Sequence, residues 1–261
     1  MHISTQLITT LFFASIGGLL PVCIWLYFWL REDRLCPEPK FLIFLTFLGG
    51  AIGTVVALFL EKLVYSVNIL SFFSSQHLSQ INDFIRNSMQ SGVTLEKLLM
   101  VAFFAPIIEE LVKFFFAYFI AMRNKANDEP IDPIIYMITA ALGFAAIENL
   151  FFLIDPLTKN NLIFGLLTGN MRFIGATLLH TVSSAVIGMF LGFTYFKTRG
   201  KKWFYTVAGI IFAILLHSAF NFSIIMKGEN NAMLSMESIW IVVVIILLLF
   251  EKIKNIKLNK I

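Results

Sequence analysis

Residues 98–122 read LLMVAFFAPIIEELVKFFFAYFIAM, a hydrophobic stretch with two glutamates and a lysine near its centre. A helix needs about 20 apolar residues to cross a bilayer, and this stretch is long enough. Each charge at that depth costs roughly 2.5 to 3.5 kcal/mol, so Glu109, Glu110 and Lys113 need mutual pairing, partners on other helices or a water-filled cavity. The stretch therefore predicts a membrane helix that carries a functional site.

The composition is typical of a polytopic membrane protein. Of the 261 residues, 58% are hydrophobic and only 14% are charged, which would leave a soluble protein with too much exposed apolar surface. The sequence predicts an all-α polytopic membrane helical bundle that forms one integral membrane domain over residues 1–261. No disulfide is expected, because Cys23 lies in the first apolar run and Cys36 in a loop assigned to the cytoplasm.

About seven hydrophobic segments are predicted to be transmembrane helices. They cover residues 7–30, 41–64, 98–122, 134–154, 172–196, 203–226 and 237–256. The loop over residues 65–97 adds an amphipathic helix, whose apolar face comprises Leu78, Ile81, Phe84, Ile85 and Met89. We expect that helix to lie at the outer interface, where an anchoring role is favoured over guiding a substrate.

Basic residues are concentrated in alternate loops, which indicates the orientation of the chain. Thirteen of the 20 lie in the first, third and fifth loops and the C-terminal tail, against five in the loops between them. Cytoplasmic loops carry the excess of Lys and Arg, so we expect a multi-pass protein of the cell membrane with its N-terminus outside and its C-terminus in the cytoplasm. The same distribution accounts for the net charge of +4, and no nucleic-acid partner is expected.

Polar side chains in four of the predicted spans fall at similar depths. With a rise of about 1.5 Å per residue, Glu109 lies about 16 Å from the outer surface, Glu148 about 9 Å, His180 about 12 Å and His217 about 13 Å. Asn221 shares a helix face with His217 at a depth of about 8 Å. Antiparallel helices thus bring these groups into one layer in the outer half of the membrane, which predicts a shared site.

The three charges of the third span can pair with one another. Glu109 and Lys113 are four residues apart and share a face, while Glu110 can reach Lys113 from three residues away. Such an arrangement can hold one glutamate as a base while the other supports it. A structural ion pair between Lys113 and Glu110 is the alternative, whereas a second carboxylate makes Glu109 a poor partner in a purely structural pair.

The motif His217-Ser-Ala-Phe-Asn221 also allows two interpretations. The two polar side chains can simply hydrogen-bond neighbouring helices together. Beside Glu109 and His180, they can instead stabilise an oxyanion while the other histidine and the carboxylate activate water. The shared layer favours the second interpretation.

Three further polar residues complete the layer. Arg172 is interpreted either as an anchor to lipid headgroups or as part of the site. Glu148 and Asn149 can bind the substrate backbone, orient His180 or pair with Arg172. The chain lacks the HExxH, GxGD and GxSxG motifs of other proteases and hydrolases.

The ordered motifs resemble those of the PrsW family of intramembrane proteases, a branch of the group that includes the CAAX prenyl endopeptidases. The resemblance covers about residues 98–226. The matching pieces are EExxK at 109–113, the segment from Gly143 to Glu148 and Asn149, Arg172 followed by His180, and HxxxN at 217–221.

This resemblance implies catalytic roles for four residues: Glu109 would activate the hydrolytic water with His180 assisting, and His217 with Asn221 would stabilise the oxyanion. Glu110 and Lys113 would organise the site, and Glu148, Asn149 and Arg172 would support it. Two histidines and two carboxylates could also bind zinc. Adjacent glutamates beside a lysine suit metal-free water activation better, so no cofactor is expected.

The resemblance implies an intramembrane endopeptidase that cuts a membrane-anchored protein, such as an anti-sigma factor, near the extracytoplasmic side. Two alternatives stay open. One is a proton-coupled transporter with Glu109, Glu110 and His217 as a relay, and the other is a non-catalytic scaffold related to these proteases. The expected partners are the substrate protein and the lipid bilayer, and the sequence does not determine the oligomeric state.

Overall fold

The computed structural model describes residues 5–33, 36–67, 94–159, 162–227 and 232–256. Within these ranges the chain forms helices and has no β-strand, which confirms the predicted all-α fold. The amphipathic helix predicted between residues 65 and 97 falls largely on 68–93, outside the described residues. The described helices are, in chain order, α1 (Thr5–Glu32), α2 (Lys40–Ser66), α3 (95–122), α4 (Asp132–Thr158), α5 (162–193), α6 (Arg199–Lys227) and α7 (Ala232–Lys254).

Five of these helices are long and apolar enough to cross a membrane: α1, α2, α4, α5 and α6. The result confirms a multi-pass membrane protein. The other two, α3 and α7, coincide with the third and seventh predicted spans, and α3 carries the charged residues quoted above. A total of seven spans therefore stays a prediction.

Two of the helices contain π-helical turns. In α3, Met100–Phe104 and Tyr118–Met122 flank the α-helical segment Ala105–Ala117, and in α5, Arg172–Ala176 precedes the segment Thr177–Phe193. Such turns are frequent at functional sites. Here they flank the residues that the sequence singled out, since the glutamates of α3 lie between its two π-helical turns.

Helix α5 starts earlier than the sequence predicted. It begins at Leu162 rather than at residue 172, so the predicted boundary was wrong. Arg172 lies inside the helix and is 9% exposed, which rules out its interpretation as an anchor to lipid headgroups. The helix continues through this charge because Arg172 is paired with a carboxylate of α4, Glu148, at 2.8 Å.

Helix α4 occupies the centre of the bundle and contacts α1, α2, α3 and α5. Small residues allow α2 to approach its backbone closely. A Cβ atom added to Gly50 would lie 1.9 Å from the carbonyl oxygen of Ala140, and one added to Gly143 would lie 1.9 Å from that of Phe47. Neither position can therefore carry a side chain without separating the helices.

Further contacts bring the four motif-bearing helices together. Helix α3 packs on α2, α4 and α6, and α5 packs on both α4 and α6. The hydroxyl of Thr54 on α2 donates to the carbonyl of Phe144 on α4 at 2.9 Å, which links these two helices. The predicted polar layer thus lies at the meeting point of α3, α4, α5 and α6.

Candidate functional site

The charged residues of α3 form the base of the site. The side chain of Lys113 is fully buried, and its Nζ atom lies 2.8 Å from Oε1 of Glu110 and 3.5 Å from Oε2 of Glu109. Both spacings, i,i+3 and i,i+4, agree with the pairing predicted from the sequence. A single lysine thus interacts with both glutamates, as buried charges require.

Glu110 is saturated with hydrogen bonds. Its Oε1 atom accepts from Lys113 and from the Ser183 hydroxyl, both at 2.8 Å, and its Oε2 atom accepts from the Ser184 hydroxyl at 2.8 Å. The Nδ1 atom of His217 is a fourth partner, 2.9 Å from Oε1. A carboxylate held by donors from three helices is a structural centre of the site rather than a free base.

Glu109 has a different environment, although it is the next residue in the chain. Its Oε2 atom is buried and has no hydrogen-bond partner among the described residues. The same atom lies 3.6 Å from Nδ1 of His180 and 3.8 Å from Nε2 of His217. A buried polar atom without a partner is unfavourable unless it binds something else, and the spacing to the histidines leaves Oε2 facing polar groups on two other helices.

Hydrogen-bond partners determine the tautomers of both histidines. The carboxylate of Glu110 can only accept, so Nδ1 of His217 carries its proton and Nε2 presents a lone pair toward Glu109. In His180, Nε2 lies 2.6 Å from Oε2 of Glu148 and donates to it, while Nδ1 accepts from Lys113 at 2.7 Å. His180 therefore has both ring nitrogens occupied, whereas His217 has one nitrogen open.

A second group of polar residues holds His180 from the side of α4. Glu148 forms an ion pair with Arg172 at 2.8 Å, and the amide oxygen of Asn149 accepts from Nε of Arg172. The amide nitrogen of Asn149 donates to the hydroxyl of Thr177 at 3.0 Å. Two of the interpretations left open by the sequence thus hold together, because Glu148 both pairs with Arg172 and orients His180.

Aromatic contacts complete the surroundings of these charges. The ammonium of Lys113 lies 4.6 Å from the ring centroid of Phe144, and the guanidinium of Arg172 lies 4.1 Å from that of Phe152. The rings of His180 and His217 meet edge to face with centroids 5.1 Å apart. Cation–π contacts stabilise positive charge where water is scarce, so both cations remain compatible with an apolar setting.

Asn221 lies one helical turn from His217, as its spacing predicted, but its side chain is hydrogen-bonded to the backbone of α3. The Nδ2 atom donates to the carbonyl oxygen of Val101 at 2.9 Å. This bond ties α6 to the first π-helical turn of α3, the segment Met100–Phe104. A carboxamide has two N–H donors, and the bond to Val101 uses one of them.

Three polar residues of the site were not among those predicted from the sequence: Ser183, Ser184 and Glu61. The two serines were a weak signal because small hydroxyl residues are common at helix contacts. Glu61 follows Ala57 by one turn on α2, and Ala57 packs with Val112 and Phe144 beside the site. The half-buried Glu61 carboxylate interacts electrostatically with Glu148 and Lys113.

The feature of the sequence that could have identified Glu61 is its charge near the end of an otherwise apolar span. Glu61 adds a further carboxyl group beside the site. The described part of the chain therefore places four carboxyl groups in or beside the site: Glu61, Glu109, Glu110 and Glu148.

Glu109, His180 and His217 also offer three donor atoms that lie within 4.8 Å of one another, as a metal site requires. A metal ligand must present a free lone pair, yet Nδ1 of His180 accepts a hydrogen bond from the Lys113 ammonium. That ammonium would also repel a metal cation. As arranged, only Glu109 and His217 have an open donor atom, so a zinc ion would require Lys113 to leave Nδ1 of His180.

Comparison with known proteins gives one consistent result. A family model described as PrsW family intramembrane metalloprotease matches residues 38–250. The chain is 27% identical to Protease PrsW of Clostridioides difficile over 213 residues, which cover 80% of this chain and 78% of that protein.

Two further relatives match over shorter segments. Protease PrsW of Geobacillus kaustophilus is 28% identical over 47% of this chain and 51% of its own length. Protease PrsW of Oceanobacillus iheyensis is 29% identical over 57% of this chain and 64% of its own length. No solved structure gave a significant match.

Proposed function

The chain belongs to the PrsW family and is a membrane protease, and on that premise we propose that it hydrolyses a peptide bond of a membrane-anchored protein with a water molecule activated by Glu109. The observation that carries this proposal is the buried Oε2 atom of Glu109, which has no hydrogen-bond partner among the described residues. It lies 3.5 Å from the Lys113 ammonium and faces both histidines, at 3.6 and 3.8 Å. Of the two adjacent glutamates, Glu109 is the one with an oxygen available to a water molecule.

Glu109 and His217 together provide two acceptors for this water. One hydrogen of the water bonds Oε2 of Glu109 and the other bonds the lone pair on Nε2 of His217. During attack, the water O–H bond breaks, its proton passes to the Glu109 carboxylate and its oxygen bonds the carbonyl carbon of the substrate. The protonated Glu109 then donates to the leaving amide nitrogen as the C–N bond breaks.

The oxyanion that forms on the substrate needs hydrogen-bond donors. We assign this role to the second N–H of the Asn221 carboxamide, which lies on the same helix face as His217. His217 can take part as a donor only after its Nε2 gains a proton, because its Nδ1 proton is bound to Glu110. This tautomer makes His217 an acceptor for water in the resting site and gives Asn221 the larger share of the oxyanion role.

Other residues act through these groups. His180 has both ring nitrogens bonded. It positions Lys113 against Glu110 and links Lys113 to Glu148. Glu110 positions His217, and Arg172 with Asn149 holds Glu148 in place. These are positioning residues, since none offers an open donor or acceptor toward the unpartnered oxygen of Glu109.

We further infer that catalysis is metal-free and of the glutamic type. The Lys113 ammonium supports this inference, because it occupies the histidine nitrogen that a metal would need. The matching family model is described as a metalloprotease, and this proposal departs from that description. No step proposed for this chain requires a metal ion.

The basic loops support an orientation with the N-terminus outside and the site in the outer half of the cell membrane. A site at that depth suits a cut on the extracytoplasmic side of a single-pass substrate, such as a membrane-anchored anti-sigma factor. Seven membrane spans, including α3 and α7, are part of this proposal.

The test compares cells that express equal amounts of the wild type, Glu109→Gln or the matched control Glu251→Gln. Glu251 is an exposed acid on α7, far along the chain from the motifs. Quantitative proteomics of membrane and released fractions should find fragments of single-pass proteins with the wild type and the control, and none with Glu109→Gln. Identical fragments in all three would overturn the role of Glu109. If the wild type releases none, under envelope stress as well, proton-flux assays test the transporter instead.

A further inference from the structure

A cleft of about 1020 Å³ lies between α5, α6 and α7, away from the Glu109 site. Its walls are almost entirely apolar and include Phe190, Phe212, Leu216 and Ile245. At the end of the cleft where α5 ends and α6 begins, here called its mouth, the lining includes Lys197 and Lys201. No acidic residue lines it. The cleft thus combines an apolar interior with a positively charged mouth.

The two lysines are available to a ligand. Within the described ranges, neither Lys197 nor Lys201 forms an ion pair, whereas Lys254, at the end of α7, is paired with Glu32 and Glu251. Gly200 lies between the two lysines along the chain, and a Cβ atom added there would meet nothing within 4 Å. The mouth therefore has open space beside two free positive charges.

Aromatic residues place this mouth at the depth of lipid headgroups. Trp203, Phe204 and Tyr205 follow the lysines on α6 and are 70%, 64% and 40% exposed. Exposed Trp and Tyr concentrate at the interface between hydrocarbon and headgroups. Lys197 and Lys201 precede them, so the lysines lie on the headgroup side and the apolar walls lie on the hydrocarbon side.

The cleft is long enough to hold an acyl chain that crosses one membrane leaflet. From Lys201 to Leu216 the lining follows α6 for about 22 Å, calculated from the helical rise. One leaflet of the hydrocarbon core is about 15 Å thick. An acyl chain whose headgroup lies at the lysines would therefore run along the cleft within its own leaflet.

We propose that this cleft binds an anionic phospholipid, with the phosphate at Lys197 and Lys201 and an acyl chain against Phe190, Phe212 and Ile245. Basic pockets between transmembrane helices recognise anionic headgroups through charge, and the apolar walls exclude water from the chain. A peptide helix would not explain why the charges are confined to one end of the cleft. The site is independent of the proteolytic chemistry, since none of its lining residues belongs to the Glu109 network.

The experiment is native mass spectrometry of the full chain released from nanodiscs that contain equal parts of phosphatidylglycerol and phosphatidylcholine. The wild type should retain phosphatidylglycerol preferentially. Lys197→Gln with Lys201→Gln should lower that preference on the order of tenfold. The matched control, Lys40→Gln with Lys125→Gln, makes the same change in net charge at exposed lysines outside the cleft. This control should keep the preference for phosphatidylglycerol.

A second variant tests the apolar wall without changing charge. Ile245 is 49% exposed, so Ile245→Trp should fold while filling the cleft, and it should lower retention of both lipids. Unchanged retention in either cleft variant, or equal loss in the Lys40/Lys125 control, would overturn the proposal. Complete displacement of the lipid by inorganic phosphate would also overturn the proposal, because it would identify a phosphate site rather than a lipid site. A bound peptide in place of lipid would overturn it as well.

Discussion

The Nδ1 atom of His217 lies 2.9 Å from Oε1 of Glu110, which joins a histidine of α6 to a glutamate of α3. Because the carboxylate can only accept, this bond fixes the proton of the imidazole on Nδ1. The open nitrogen, Nε2, then faces Oε2 of Glu109 at 3.8 Å. This bond thus determines the chemical form in which the histidine meets a water molecule.

Changing the two adjacent glutamates to glutamine should affect different properties: turnover for Glu109 and stability for Glu110. Glu109→Gln should lower turnover by at least about a hundredfold, because it removes the base. It should lower the free energy of unfolding less than Glu110→Gln does, because Glu109 is the more distant partner of Lys113. Glu110→Gln should lower that free energy by about 3 kcal/mol, because it leaves Lys113 buried without its main counter-charge. SDS titration in mixed micelles measures stability, and cleavage of an identified substrate measures turnover. Equal destabilisation by both variants would contradict this division.

Asn221→Ala should lower kcat on the order of a hundredfold with little change in KM, because an oxyanion donor acts mainly in the transition state. The variant also loses the bond to Val101, so the unfolding midpoint must be measured in parallel. Asn221→Asp is the matched control for size, and it should be equally slow because a carboxylate has no N–H. A normal kcat in a folded Asn221→Ala protein would remove the oxyanion assignment.

Metal removal should leave the enzyme active. Lys113 occupies the nitrogen of His180 that a metal would need, so treatment with EDTA or 1,10-phenanthroline should not change turnover. Elemental analysis of active protein should find far less than one zinc per chain. A loss of activity that added zinc restores, but magnesium does not, would show that Lys113 moves away to admit a metal ion.

A cluster of carboxyl groups joins the ends of α1, α2 and α4 on the side of the basic loops. Tyr136 donates to Glu38, and Glu38 is hydrogen-bonded to Asp132. Burial raises the pKa of Glu38 to about 8, and burial together with Asp132 and Glu129 raises the pKa of Asp33 to about 7, although Lys254 opposes the second shift. Both groups therefore bind protons more tightly in the folded protein than in the unfolded chain.

These shifts predict a stability that falls with rising pH. The contribution is fully present below about pH 4 and is lost as the pH rises through about 7 to 8, because the buried carboxyl groups must then ionise. The unfolding temperature in micelles should fall by a few degrees over that window. Glu38→Gln should flatten the profile because the amide does not ionise. The prediction is wrong if the wild type and Glu38→Gln show the same slope.

Gly143→Ala should destabilise the bundle by about 1 to 3 kcal/mol or more, because the new methyl group would lie 1.9 Å from the Phe47 carbonyl oxygen. Gly200→Ala is the control, since it introduces the same methyl group into open space at the start of α6. It should be neutral or slightly stabilising because alanine favours the helix. Similar unfolding midpoints for both variants would show that α2 and α4 are less closely packed than the structure has them.

Much of this architecture follows from local features of the sequence. Apolar segments of sufficient length predict the order of the helices, and all seven predicted segments coincide with helices. Depths calculated from the helical rise place Glu109, Glu148, His180 and His217 in one layer, and the structure brings them together. The start of α5 was missed because Arg172 looks like the end of a span until its partner on α4 is known.

The sequence by itself determined the class of protein and the helices that carry polar residues, and it predicted a shared depth for them, because apolar length and helical rise are local properties. Only the tertiary structure decided which glutamate is saturated, which nitrogen of each histidine is open, and that Ser183 and Ser184 serve Glu110. The physical reason is that depth gives one coordinate along the membrane normal. The direction in which each side chain points depends on how the helices pack around α4, where the contact of Gly50 and Gly143 with neighbouring backbone sets the distances.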